Sequence, residues 1–177
     1  MIEVHEFPGF VIFKSKVLNH SDIKTDLLSA IQSMGGFKLE TVNQSLLDTD
    51  WYMPREMPRP YFDIIGPILE NYNRNLFQKL NIQDQQNLHL TQIWFQRYAK
   101  GDYHGLHTHG NCTFSNVYFI DLPKGTPITS FSFLNKEYEI SIDEGDIITF
   151  PGHIHHQSKP NNQDEIKTSI AFNTTLG

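Results

Sequence analysis

The chain has 177 residues, with 20 Asp and Glu against 14 Lys and Arg for a net charge of −6, and 38% of its residues are hydrophobic. That hydrophobic share argues against a disordered chain, and the acidic balance argues against nucleic-acid binding, which needs a basic face to neutralise phosphates. The single cysteine, Cys112, rules out an internal disulfide, and no stretch approaches the roughly 20 apolar residues of a membrane span.

In chain order, Ser21-Asp22 opens an amphipathic run through Leu27, Leu28 and Ile31 that stops at Gly35-Gly36, predicting a first helix. Met53 to Pro60 carries three prolines and predicts a rigid polar loop. Tyr61, Ile65, Ile68, Leu69, Tyr72, Leu76 and Leu80 recur at helical spacing and predict a second helix, with Pro67 bending its first turns. After residue 86 the texture changes to short runs rich in Phe, Ile, Val, Thr and Tyr, separated by turn residues. Strands are expected at 88–98, 113–120, 128–133, 138–142, 146–150 and 166–173. The gaps are too short for helical crossovers, so the predicted class is mainly β. It is a jelly roll over 87–177, supported by a mainly helical 1–86, in one domain spanning 1–177. No basic segment leading into an apolar stretch opens the chain, which predicts a cytoplasmic protein.

Histidine is unevenly spread: six of the nine, His104, His107, His109, His153, His155 and His156, fall within 53 residues. His107 and His109 stand at i and i+2, so on an extended segment both imidazoles point to one side and can meet one metal ion. His156, after the strand ending at Phe150 and the turn Pro151-Gly152, is the candidate third ligand, with His155 the alternative if the turn shifts. Three histidines with an open position suit a catalytic metal. In the last strand, alternation sets Lys167, Ser169, Ala171 and Asn173 opposite Ile166, Thr168, Ile170 and Phe172. On the inner face of a barrel a lysine and a serine would need an anion, a carboxylate ligand being its natural form; on an outer face they would meet solvent, with the Ile and Phe face as core.

These residues resemble the 2-oxoglutarate/Fe(II)-dependent oxygenases, in the prolyl-hydroxylase-like branch and its small phage-type members. The resemblance runs from Trp94 to Asn173. Arg97-Tyr98-Ala99-Lys100-Gly101 matches an Arg-Tyr-x-x-Gly motif, with His107 six residues after the glycine. Ser115-Asn116-Val117-Tyr118-Phe119 resembles a Ser-Gly-Val-Tyr-Tyr strand. Glu144 to Pro151 matches the Gly-Asp strand and Phe-Pro turn, with His156 six residues beyond Phe150, and Lys167-Thr168-Ser169 stands where the family carries Arg-x-Ser. Two positions depart from the pattern: His109 replaces the usual Asp or Glu, and Lys167 replaces Arg.

The resemblance implies Fe(II) held by His107, His109 and His156, with 2-oxoglutarate and O2 as cosubstrates. Lys167 and Ser169, with Tyr98 and Tyr118, would bind the cosubstrate. The expected activity is hydroxylation of a small molecule or of a protein side chain such as proline, in the host cytoplasm if the gene is a phage's. Tyr103, His104, Trp94 and Asn116 are candidate substrate neighbours, and Trp51 and Tyr52 either form a substrate lip or simply pack. His153 is expected to face solvent, Cys112 to be a small buried group, and Gly145-Asp146 to form a turn. A zinc hydrolase or lyase, a cupin-type dioxygenase and a catalytically silent jelly-roll binding module use the same three histidines and are the competing readings.

Overall fold

The computed structural model describes residues 1–41, 45–81 and 87–177. The expected boundary at residue 86 lies outside the described residues.

The chain opens with a hairpin of β1 (Glu3–Phe7) and β2 (Phe10–Lys16), turning at Gly9, whose φ is +90°. Helix α1 (His20–Met34) follows, and Gly35 at its C-cap has φ +66° and bonds back to the Gln32 carbonyl. The helix begins just before Ser21-Asp22, with Asn19 at the N-cap and no side-chain capping bond. A second hairpin, β3 (Phe37–Thr41) and β4 (Ser45–Thr49), leads through the proline loop to α2 (Pro60–Lys79). Pro60 sits in the first helical turn, where its missing N–H costs nothing, and Pro67 lies inside the helix.

The remaining strands are β5 (Leu88–Tyr98), β6 (His104–His107), β7 (Phe114–Asp121), β8 (Thr129–Phe133), β9 (Lys136–Tyr138), β10 (Asp146–Pro151), β11 (His155–Ser158) and β12 (Lys167–Leu176). Eight strands form one antiparallel sheet in the order β1-β2-β10-β7-β12-β5-β4-β3, and four form a second in the order β6-β11-β8-β9. This is the jelly roll expected from the sequence. Among the described residues of this first half, four strands stand beside the two helices, because β1 and β2 extend one edge of the large sheet and β4 and β3 extend the other. The strand expected at 138–142 is not formed; β9 lies just before it and overlaps it only at Tyr138. Ile140 and Ile142 beyond it are buried without a ladder.

Two cores follow from strand alternation. Facing the helices, Phe13, Tyr118, Ile120, Ile170 and Phe172 pack against Leu27, Ile31, Tyr61, Ile65, Leu69 and Leu76. Between the sheets, Phe10, Ile12, Phe119, Phe131, Ile148, Phe150 and Ile154 form the second core. Burial of each such side chain contributes about 1.5–3 kcal/mol, so both faces of the large sheet are held firmly. β12 is central, paired with both β5 and β7, and its side facing the small sheet carries Lys167, Ser169, Ala171 and Asn173. That polar row on a rigid strand is where the site is built.

Candidate metal centre

The pairing of β6 with β11 sets His107 directly opposite His156. His109 lies two residues past the end of β6, its N–H bonded to the Gly152 carbonyl at 2.8 Å. Gly152 is required there, since a Cβ would come within 2.8 Å of the carbonyl oxygens of His109 and Cys112. The ring centroids of His107 and His156 are 4.2 Å apart, and that of His109 is 5.1 Å from each. One nitrogen from each ring lies within 4.8 Å of the other two. Nitrogens bound at about 2.1 Å to one ion sit roughly 3 Å apart, so small side-chain rotations close the set.

The tautomers suit a metal. Nδ1–H of His107 donates to the Gly105 carbonyl at 2.7 Å and Nδ1–H of His156 to the Ile154 carbonyl at 2.9 Å, leaving both Nε2 lone pairs free. His109 Nδ1 lies 3.2 Å from the Asn173 amide nitrogen, while Asn173 Oδ1 is buried with no partner among the described residues. Turning that amide by half a rotation lets Oδ1 accept the Nδ1–H of His109, which satisfies the orphaned oxygen and frees the third Nε2. Burial holds all three rings neutral: it lowers the pKa of His107, brings His109 to about 4, with His107 adding to the shift, and puts His156 well below the ordinary value. Trp94 stacks on His109 at 5.6 Å, Trp51 meets Trp94 edge-on at 4.4 Å, and Phe150 meets the His156 ring edge-on at 4.6 Å. The donor set fits a divalent transition metal.

Lys167 is 2% exposed. Its Nζ donates to the Pro127 carbonyl at 2.9 Å and to Ser158 Oγ at 2.5 Å and sits 4.1 Å above the Tyr98 ring. Among the described residues no carboxylate lies within salt-bridge distance of it, and burial pulls its pKa down to about 7. Ser169 Oγ bonds to Gln96 Oε1 at 3.4 Å, and Gln96 Nε2 donates to His104 Nδ1 at 3.1 Å. The Arg97 to Gly101 motif ends β5 and then turns: Arg97 and Tyr98 pair with β12, while Gly101 has φ +85° and its N–H bonds to the Asn161 carbonyl. That turn fixes Tyr98 beneath the lysine.

Three sequence candidates, Asn116, Tyr118 and Tyr103, do not line this site. Ser115 and Val117 face the histidines, so the intervening Asn116, like Tyr118, faces the helices. Tyr118 hydroxyl bonds His20 Nδ1 at 2.6 Å, and Asn116 bonds the Phe172 carbonyl and Thr149. Tyr118 therefore belongs to the core between sheet and helices, and the cosubstrate role expected for it is withdrawn. Tyr103 is engaged by a backbone bridge to Leu46. His155 points outward opposite Ser132, and His153 is exposed. Cys112 is half-buried, its thiol pushed up to about 11 by burial.

A cavity of about 400 Å³ opens over the histidines, lined by Trp51, Tyr52, Trp94 and His104 among others. Beneath it, bounded by Tyr98, His104, His107, His156 and Ser158, is a chamber of about 20 Å³, room for about one water. His104, stacked on His107 at 3.9 Å, lines both spaces. Gln96 and Ser158 went unnoticed in the sequence. Alternation back from Tyr98 would have found Gln96, whereas Ser158 depends on the pairing of β11. Asp50 also went unnoticed. It is fully buried and accepts from Arg59 Nε at 2.9 Å, Tyr61 hydroxyl at 2.7 Å and Phe95 N–H at 2.7 Å, anchoring the loop that carries Trp51.

Comparison with solved structures decides the architecture. A viral collagen prolyl hydroxylase from Paramecium Bursaria Chlorella virus-1, solved as a 2-oxoglutarate complex, superposes with TM-score 0.62 at 18% identity over 91% of this chain and 94% of that one. The fold is that of the 2-oxoglutarate/Fe(II) oxygenases. A Pseudomonas putida prolyl-4-hydroxylase gives TM-score 0.62 at 12% identity, covering 92% of this chain and 91% of its own. A Trichoplax adhaerens prolyl hydroxylase, in complex with a peptide of the hypoxia inducible factor oxygen degradation domain, gives 0.69 at 12%, covering 93% and 83%. No protein-family model and no curated protein matches the sequence. The likeness at these identities is one of fold.

Proposed function

We propose that this protein is an Fe(II)- and 2-oxoglutarate-dependent oxygenase that hydroxylates a small molecule or a protein side chain. The carrying observation is the pairing of two features on one barrel interior: three neutral, mutually adjacent imidazoles and a buried lysine that no carboxylate of the described residues balances. His107, His109 and His156 hold the metal. Lys167, oriented by Ser158 and Tyr98, receives the far carboxylate of the cosubstrate, with Ser169 beside it on the same strand face. Bound iron and 2-oxoglutarate supply the oxidative chemistry, consuming O2 and releasing succinate and carbon dioxide as a hydroxyl passes to the substrate. Trp94 and Trp51 wall the metal from bulk water on one side.

A five-carbon keto diacid is larger than the inner chamber, so holding it at Lys167 would require the His104 ring to leave its stack on His107. Two structural neighbours are prolyl hydroxylases by name and a third is a collagen prolyl hydroxylase, which supports a peptidyl proline among the substrates to be tried first. The three neutral imidazoles suit zinc equally well. A zinc hydrolase, however, has no use for Lys167. The test is succinate formation from 2-oxoglutarate with Fe(II) and O2, expected in the wild type and lost in His156→Ala. Metal-loaded protein that makes no succinate, with or without proline peptides, contradicts the proposal.

A further inference from the structure

The chain has four arginines, and three are paired: Arg59 with Asp50, Arg74 with Glu70 and Arg97 with Asp48. The fourth, Arg55, is exposed, has no ion-pair or hydrogen-bond partner among the described residues, and lines the cavity over the histidines. It stands in the proline loop, which Asp50 pins to β5 through the Phe95 N–H, so its backbone position is fixed. An acidic chain has ample carboxylates with which to pair it, yet none of the described residues lining this cavity is Asp or Glu. The ligand set adds to the imbalance. Three neutral imidazoles leave both charges of a divalent ion uncompensated, so the two carboxylates of a keto acid balance the ion alone, and Lys167 and Arg55 remain in surplus.

We infer that the outer cavity receives a substrate carrying a carboxylate or phosphate, with Arg55 as its receptor and the Trp51, Tyr52 and Trp94 rings holding its apolar body. The inference rests on the oxygenase reading for the charge of the metal site and adds to it the class of the substrate. An arginine fork suits either anion bidentately and gives a neutral isostere no charge to meet. Either a small acid or an acidic residue beside the target in a peptide presents this chemistry.

Both tryptophans of the chain line the cavity, so intrinsic fluorescence reports its occupancy. The probes are phenylacetate and its neutral isostere phenylacetamide, with phenyl phosphate to separate the two anions and a short peptide of Glu and Phe to separate the two sources. Each is titrated anaerobically into protein saturated with Fe(II) and 2-oxoglutarate. The expected result is that phenylacetate or phenyl phosphate binds about tenfold or more tightly than the amide. Arg55→Gln abolishes that preference, and Arg74→Gln, which removes the same charge far from the cavity, preserves it. Equal affinities, a preference that survives Arg55→Gln, or no quenching by any probe overturns the inference. The weak visible absorption of a keto acid chelated to Fe(II) is read in the same wild-type sample. Absorption without an Arg55-dependent preference refutes the anion site alone, and the preference without the absorption refutes the oxygenase reading alone.

Discussion

If Lys167 receives the far carboxylate of the cosubstrate, binding of 2-oxoglutarate to the metal-loaded protein is expected to take up a proton at Lys167. Burial holds this ammonium at a pKa of about 7 against an ordinary 10.5, a penalty on its charged form of about 5 kcal/mol at about 1.4 kcal/mol per unit. The side chain is 2% exposed, so solvent screens little of it. At pH 8 such a group is about one-tenth protonated; a ligand carboxylate beside it restores the charge, so binding takes up about 0.9 proton. Calorimetric titration at pH 8 in two buffers of different ionisation enthalpy measures this number directly, with metal saturating so that the histidines do not titrate. Lys167→Met brings the uptake to near zero. The same shift makes stability pH-dependent. Between the folded value near 7 and the unfolded value of 10.5, the unfolded chain binds more protons, so stability rises with pH, and from pH 7 to 9 the gain is about 2 kcal/mol. Urea unfolding at pH 7, 8 and 9 reads it, and Lys167→Met flattens the slope. Keto-acid binding with no proton uptake refutes the placement of the carboxylate at Lys167.

Other consequences follow from the anchors of the site. Asp50→Ala leaves Arg59, Tyr61 hydroxyl and Phe95 N–H without their shared acceptor and is expected to cost about 3–5 kcal/mol in chemical denaturation, with loss of the Trp51 contact visible in fluorescence. Gly152→Ala drives a Cβ into the carbonyl oxygens of His109 and Cys112 and displaces the His109 backbone; metal affinity by calorimetry should fall about 10–100-fold. Asn173→Ala removes the amide that faces His109 Nδ1 and should weaken metal binding within the same range, with the fold retained by circular dichroism.

The parts of this structure visible in the sequence are those with a strong local signal. β5, β7, β8, β10 and β12 lie where runs of β-forming residues between turn residues placed them, and both helices lie where apolar spacing and terminal Gly or Pro placed them. β1 and β2 flank a Pro8-Gly9 turn, but β1 is half exposed and extends a sheet edge, so its sequence carries only a weak apolar alternation. β6 and β11 are four residues each, two of them His, and the pairing of β11 with both β6 and β8 makes them strands where propensity does not. Within the site, His107-Thr108-His109 and the Lys167, Ser169 row were legible because two-residue spacing is a local property. Tyr118 was misplaced because its motif was read without the alternation that turns Ser115 and Val117 inward. Asp50 and Arg55 could not be found locally, since their meaning depends on a loop folded back over β5.

The central claim is that the three histidines hold Fe(II) while Lys167 holds the keto acid beside it. Anaerobic titration of the protein with Fe(II) and then 2-oxoglutarate, followed by visible absorption, tests both halves at once. The account predicts the weak charge-transfer band of a chelated keto acid, saturating at one equivalent of iron. His107→Ala abolishes it, and Lys167→Met shifts its keto-acid dependence to at least about tenfold higher concentration. Iron bound at one equivalent with no band at any keto-acid concentration would contradict it.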